Sequence, residues 1–372
     1  MKIAVLTTVH PENDVRIYHK QAISISAQHE VTLIAPKKTK EKLKLENYIP
    51  LKNSKSRFSR LAIQKQAYNV VIKIRPDVIH LHDPELIFLG ILLKLGGYKI
   101  VWDVHESLPG QVLNKKWIPR HLRRPVSMIA SGIEFLAGKF FDRIIVATQS
   151  IGKSFPAEKT FVIQNFPILG EMHSHDSNRF SRSTPIFFHG GGLTEIRGIK
   201  EIIEAIYILN NEFKYPGILR LVGKFESAYF EDICRKSRGW KYVDYHEWVG
   251  REDLAKLLGS ADAGVITFLP APNHIDSQPN KIFEYMSASL PIIVSDFPSW
   301  KELIGSDEVS GLAVDPKDPY KIAQAMKYLI DNPEESKSMG ERGYEKVANY
   351  FNWGAESEKL KDIYSSLQRT IK

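Results

Sequence analysis

The chain has 372 residues, 43% hydrophobic and 25% charged, which fits about two globular domains and excludes a disordered or fibrous protein. A single cysteine, Cys234, excludes an intrachain disulfide and a four-cysteine metal site. The net charge of +8 is lopsided: residues 1–178 hold 26 Lys/Arg against 15 Asp/Glu, whereas residues 179–372 hold 25 against 28.

From the N-terminus, Lys2–Thr7 reads as a strand, Val15–Ala27 as a helix and Glu30–Ala35 as a second strand. The apolar run Met1–Thr7 is too short for a signal peptide, and no stretch reaches the ~18 apolar residues that span a bilayer. A cytoplasmic location follows as the expectation, with peripheral contact to the inner face of the membrane. Between Lys37 and Arg75 lie twelve Lys/Arg against only Glu41 and Glu46; this segment reads as a basic loop followed by a helix at Ser59–Ile74. Val78–Leu81 is a short strand, Glu85–Leu95 a helix, Lys99–Val104 a strand and Pro125–Phe141 an amphipathic helix. Ahead of the last of these, Lys115, Lys116, Arg120, Arg123 and Arg124 alternate with Trp117, Ile118 and Leu122. Such basic fields attract phospholipid head groups or lipid diphosphates. No nucleic-acid reader motif accompanies them, so nucleic acid is not an expected partner. Strands at Arg143–Ala147 and Thr160–Ile163 close the half, and the polar stretch Gln164–Thr184 reads as a linker.

The second half repeats the alternation, with strands at Pro185–His189, Ile218–Val222, Val243–Trp248, Ala263–Phe268 and Pro291–Ser295. Helices fill between them near Lys200–Asn210, Ser227–Lys236, Arg251–Ser260, Lys281–Ala288 and Tyr320–Asn332. Regular βα alternation predicts parallel sheets covered by helices, with ligands beyond the carboxyl ends of the strands.

Two such ends carry chemistry. After the strand at Pro185–His189, Gly190, Gly191 and Gly192 let the backbone approach a ligand closely, and Arg197 can grip phosphate oxygens bidentately. Further on, Asp276 to Met286 opens a helix at Pro279, with Ser277 as the expected cap and Lys281 in the first turn. Free N–H groups of Asn280 and its neighbours, the helix dipole and Lys281 make an anion site suited to a diphosphate. Glu284, a turn further in, can accept hydrogen bonds from sugar hydroxyls. In the first half, His80 and His82 share a strand face without a clear third ligand, so no metal site is expected there.

Together these segments resemble retaining glycosyltransferase family 4, the group 1 glycosyltransferases. The resemblance implies an α/β chain with the GT-B fold, two Rossmann-like parallel-sheet domains facing a central cleft. Residues 1–165 would bind the acceptor, 166–184 link the domains, 185–349 bind the nucleotide sugar, and 350–372 form a helix crossing back. Gly191–Gly198 is similar to the family's Gly-Arg-Leu-x-x-x-Lys-Gly element, whose two cations hold the donor phosphates. Arg197 stands for the second cation; Gly192 replaces the first, so Lys281 or Lys224 would compensate. Asp276 and Glu284 have the eight-residue spacing of the family's paired glutamates, which implies sugar contact for Asp276 and ribose contact for Glu284. Pro279, Asn280 and Ile282 would complete the donor site, and His105 would stand near the reaction centre. His10–Arg16 replaces the family's glycine-rich N-terminal loop, so His10, Asp14, Arg16 and Glu106 are the acceptor-side candidates.

By this resemblance the chain transfers a hexose-type sugar from a nucleotide diphosphate to a saccharide or lipid-diphosphate-linked acceptor of surface polysaccharide. No cofactor and no metal are expected, because fixed cations replace the divalent ion at the leaving phosphate. The rival readings are a GT-B sugar-nucleotide epimerase and a non-catalytic nucleotide-sugar-binding scaffold.

Overall fold

A computed structural model describes residues 1–39, 42–53, 57–115, 118–172, 179, 181–275, 277–306 and 309–371. The chain divides into two compact units, Met1–Asn165 with Trp353–Lys372, and Phe166–Asn352.

The first unit is built on seven parallel strands: β1 (Lys2–Leu6), β2 (Glu30–Pro36), β3 (Asn47–Leu51), β4 (Val78–Leu81), β5 (Lys99–Val104), β6 (Arg143–Val146) and β7 (Thr160–Val162). Their order is β3-β2-β1-β4-β5-β6-β7. All four residues of β4 are buried, as a strand covered on both faces requires. β3 lay inside the expected basic loop. Pro50 hides it from a sequence reading, yet a proline is tolerated on an edge strand, and β3 occupies the edge. The expected helix after β1 is π-helical over Val15–Ala22 and α-helical over Ile23–Ser26. The final helix, Trp353–Ile371, completes this unit: Tyr364 Oη lies 2.8 Å from His80 Nδ1, and Trp353 Nε1 donates to Ser24 Oγ at 2.9 Å.

The second unit holds six parallel strands: β8 (Ile186–Gly190), β9 (Ile218–Val222), β10 (Val243–His246), β11 (Ala263–Ile266), β12 (Ile292–Ser295) and β13 (Gly311–Val314), in the order β10-β9-β8-β11-β12-β13. Part of the stretch read as a linker belongs to its core. Phe166 and Met172 are buried, and the Phe166 ring packs edge-on against Phe283 at 4.9 Å. Sequence reading also missed β13 and the helices Leu108–Asn114, Pro298–Ile304 and Pro333–Tyr350.

In both sheets the order reverses beside the unit's first strand, between β1 and β4 and between β8 and β11. Crevices for ligands form at the carboxyl ends of strands flanking such a reversal. The loops after β1 and β4, and those after β8 and β11, hold most of the candidate residues.

Candidate functional site

In the second unit, β8 runs into Gly190, Gly191 and Gly192. Gly191 has φ +121°, and a β-carbon there would lie 2.5 Å from Lys281 Nζ and 3.4 Å from Arg197 Nη1. A side chain there would be strained at this φ and would displace the Lys281 ammonium, and the two cations flank the loop. Gly223 (φ +147°) closes the other side, where a β-carbon would fall 1.8 Å from the Gly191 carbonyl oxygen. Arg197 is aimed by one hydrogen bond, Nη1 to the Gly192 carbonyl at 3.1 Å, and by the Phe268 ring beneath it at 5.4 Å. Lys281 has no hydrogen-bond or ion-pair partner among the described residues. Burial lowers the pKa of both Arg197 and Lys281; for Lys281 the attraction of Glu284 raises it and the repulsion of Arg197 lowers it again, leaving it below its ordinary value. Two desolvated like charges, neither within ion-pair distance of a carboxylate among the described residues, suit an anion.

The helix Asn280–Ser287 points its N-terminus into the same region. Its cap is Pro279 with no side-chain hydrogen bond, while Ser277, the expected cap, donates to the His274 carbonyl at 2.8 Å instead. The N–H groups of Asn280 and Lys281 thus lack a protein oxygen among the described residues, which suits an anion. Ile282, Phe283, Tyr285 and Met286 are buried, leaving Lys281 and Glu284 on the accessible side. Ile282 must therefore be corrected: its side chain is core, and its N–H already donates to the Pro279 carbonyl at 3.1 Å. Lys224 is exposed and offers the loop its backbone carbonyl, which accepts from Leu193 N–H at 2.9 Å. Of the two cations expected to compensate for Gly192, Lys281 is the one beside the glycine loop. Asp276 lies outside the described residues.

Sequence reading missed Tyr285 and His189. Tyr285 Oη accepts the Gly190 N–H at 2.8 Å, anchoring the start of the glycine loop. His189, fully buried, points Nδ1 at the Val265 carbonyl at 2.8 Å, so Nδ1 carries the proton. Burial first, then Lys281 and Arg197, push its pKa down to about 3. The unfolded chain binds a proton near 6.5, so between these values it holds more protons than the folded one, and stability falls as pH falls. Replacing His189 with asparagine is expected to remove about 1.4 kcal/mol per pH unit from that slope between roughly pH 4 and 6, read from urea midpoints.

In the first unit, the loops after β1 and β4 meet around two carboxylates. Asp103, at the end of β5, is buried and accepts from Arg16 Nε (2.9 Å) and Nη2 (2.7 Å), Gln21 Nε2 (2.8 Å), His105 Nε2 (3.0 Å) and His82 Nδ1 (3.3 Å). Burial alone would raise its pKa, but Arg16 and the two histidines hold it well below the carboxylate range. Asp83 gathers the loop after β1 through Thr7 Oγ1 at 2.9 Å and Val9 N–H at 3.2 Å, and its Oδ1 lies 3.5 Å from His10 Nε2. His10 Nδ1 is 3.3 Å from Asp14, whose other oxygen caps the helix at the Arg16 and Ile17 N–H groups. Burial would lower the His10 pKa, but Asp14 and Asp83 outweigh it and raise it; the same pairing brings Asp14 to about 2.

Two acceptor-side assignments change accordingly. Arg16 is buried against Asp103 and is a positioning residue, and Asp14 is a helix cap and partner to His10. His10, His105 and Glu106 keep accessible edges, with the His10 and His105 rings 5.5 Å apart. The pair His80 and His82 also differs from expectation, because the fold supplies a third group: one atom each from His80, His82 and Asp103 lie within 4.8 Å of one another. Asp103 is already engaged on both oxygens by Arg16, whose charge opposes a second cation. The cluster reads as an internal ion-pair network that fixes His105.

The family model described as Glycosyltransferase Family 4 matches residues 22–166, and that described as Glycosyl transferases group 1 matches residues 173–346. A glycogen synthase of Mycobacterium tuberculosis is 22% identical over 306 residues, covering 79% of this chain and 70% of its own. Among solved structures, HepE of Anabaena in complex with UDP and glucose has a TM-score of 0.75 at 16% identity, covering 98% of this chain and 100% of its own. WaaG, a glycosyltransferase involved in lipopolysaccharide biosynthesis, has a TM-score of 0.71 at 13% identity, covering 98% and 99%. Two adjoining matches that take in most of both units, joined to whole-chain likeness in fold, make the chain a glycosyltransferase of family 4, group 1, with the GT-B fold.

Proposed function

We propose that the chain transfers a hexosyl group, with retention of anomeric configuration, from a nucleotide diphosphate sugar to a saccharide or lipid-diphosphate-linked acceptor of surface polysaccharide or glycoconjugate. The observation that carries this reading is the pair Lys281 and Arg197, desolvated and without an ion-pair partner in contact among the described residues, beside the glycine loop and an uncapped helix N-terminus. As the bond from the anomeric carbon to the diphosphate breaks, negative charge grows on the leaving oxygen. Fixed cations and N–H groups aimed there lower the barrier without reorganising. In this reading the backbone of Gly191, Gly192, Pro279 and Asn280 cradles the diphosphate, Glu284 takes the ribose hydroxyls, and Asp276 and His105 orient the sugar. The fixed cations do the work of a divalent ion, so no metal is required. On the acceptor side, His10 and Glu106 offer the accessible polar groups. HepE, with UDP and glucose, and WaaG, in lipopolysaccharide biosynthesis, support the donor and the setting by analogy.

The test is thermal stabilisation by UDP-, GDP-, ADP- and dTDP-sugars, with and without EDTA. One nucleotide class is expected to stabilise the protein regardless of EDTA, by about 2.7 kcal/mol at a hundredfold excess over Kd. Glu284→Ala is expected to erase most of that gain. A protein indifferent to every nucleotide would remove the donor assignment.

A further inference from the structure

The first unit carries an apolar surface that its own core does not explain. The helices Ile87–Leu95 and Arg123–Phe140 are consecutive crossovers, β4 to β5 and β5 to β6, and both press one side into the same core through Ile87, Leu93 and Ala137. A β-carbon on Gly90 would lie 2.8 Å from the Phe141 ring, so the two helices are close neighbours. Their outward sides should be polar. Instead Phe88, Leu92 and Leu95 stand outward at helical spacing on the first, and Met128, Ile129 and Leu136 on the second, with exposures from 53% (Leu92) to 75% (Met128). Scattered apolar residues on a surface are ordinary, but six large, exposed ones on two neighbouring helices mark a contact surface.

Charge selects the partner. The helix Arg123–Phe140 exposes Arg124 and Lys139 but no carboxylate, because its one acidic residue, Glu134, is buried and accepts the Leu108 N–H at 3.0 Å. Lys139 lies over the Phe135 ring at 4.5 Å, so cation and apolar surface are interleaved. On the neighbouring helix, Lys94 is neutralised by Asp142 at 2.6 Å. We propose that this outward face of Ile87–Leu95 and Arg123–Phe140 is a docking surface for an anionic lipid bilayer, its apolar tips entering the acyl boundary while the cations meet head groups. The location shares only Arg124 with the expected basic cluster. In the basic cluster Ile118 is buried, and Lys116 and Trp117 lie outside the described residues. None of the described helices is long and apolar enough to cross a membrane, so attachment here is peripheral. The surface lies away from the donor loop in sequence and owes nothing to it, so vesicle binding is read without nucleotide and fails independently of the donor assignment.

The experiment is co-sedimentation of the full chain with vesicles of phosphatidylcholine alone and of phosphatidylcholine mixed with phosphatidylglycerol, beside sedimentation velocity without lipid. The parent is expected to partition onto the mixed vesicles about tenfold more strongly than onto the neutral ones, an advantage lost at high salt. Ile129→Asp with Leu136→Asp is expected to lower that partition by about a hundredfold. Both sites are exposed, so circular dichroism should give a parental melting curve. Arg124→Gln with Lys139→Gln, which leaves the apolar tips in place, should lower anionic binding about tenfold and leave neutral binding alone. Vesicle binding unchanged in the aspartate variant would overturn the proposal. So would a parent that ignores both vesicle types, or a parental dimer that the aspartate variant splits, which would assign the face to a second copy of the chain.

Discussion

Lys281→Met is expected to lower kcat/KM by about a hundred- to a thousandfold and to abolish stabilisation by the nucleotide diphosphate, while the ligand-free protein melts no lower than the parent. The two halves of this prediction come from one fact. Lys281 sits against the glycine loop with its charge desolvated and opposed by Arg197, which together outweigh its attraction to Glu284, so the folded protein gains nothing net from that charge until an anion arrives. Methionine keeps the length and apolar bulk of the stem but carries no charge. A structural lysine would behave the other way, its loss lowering the melting temperature and leaving nucleotide stabilisation in place. Arg197→Met should give a similar loss of activity with a larger loss of stability, because its bond to the Gly192 carbonyl and its contact with Phe268 also disappear. Nucleotide stabilisation that survives in both variants would contradict the assignment.

The second large effect belongs to the first unit. Asp103→Ala leaves the Arg16 guanidinium buried without its partner, which costs about 3–5 kcal/mol, a large share of the total stability of a domain. Gln21, His82 and His105 lose their acceptor as well. The double variant Arg16→Met, Asp103→Leu should recover much of that loss, since two apolar groups of similar volume replace a coupled pair. Urea denaturation followed by tryptophan fluorescence measures both. Because the Asp103 pKa is depressed, its stabilisation is present above the unfolded value of about 3.8 and is lost as pH falls towards the lower folded value. The parent should therefore lose more stability below pH 4 than the double variant does. Equal losses in the single and double variants would show that the pair is uncoupled.

The parts of the molecule that were legible in the sequence are those where one short segment decides. Buried parallel strands announce themselves by continuous apolar runs such as Ile3–Leu6, and the glycine loop by Gly190, Gly191 and Gly192 followed by Arg197. What depended on distant segments was not legible. Besides its near neighbour His105, Asp103 draws its donors from residues 16, 21 and 82, and nothing local to those three indicates the carboxylate they share. His80 meets Tyr364 from the far end of the chain. Ile282 failed for a subtler reason: in the helix Asn280–Ser287 only the packing decides which side is core, and it leaves Lys281 and Glu284 outward while turning Ile282 in. The helix at Ile87–Leu95 was legible, but not that its apolar Phe88, Leu92 and Leu95 would stand uncovered.

The composition of the first unit has a consequence for synthesis on the ribosome. Its sheet is laid down in the first 165 residues, but the helix that supplies Trp353 and Tyr364 emerges only after the whole second unit has been translated. The half that is made first is thus the half that is finished last. Until that helix arrives, His80 lacks Tyr364, Ser24 lacks Trp353 and the Gln164 N–H lacks Glu356, so the nascent sheet waits with an open flank while the second unit completes its own core from a continuous stretch of chain.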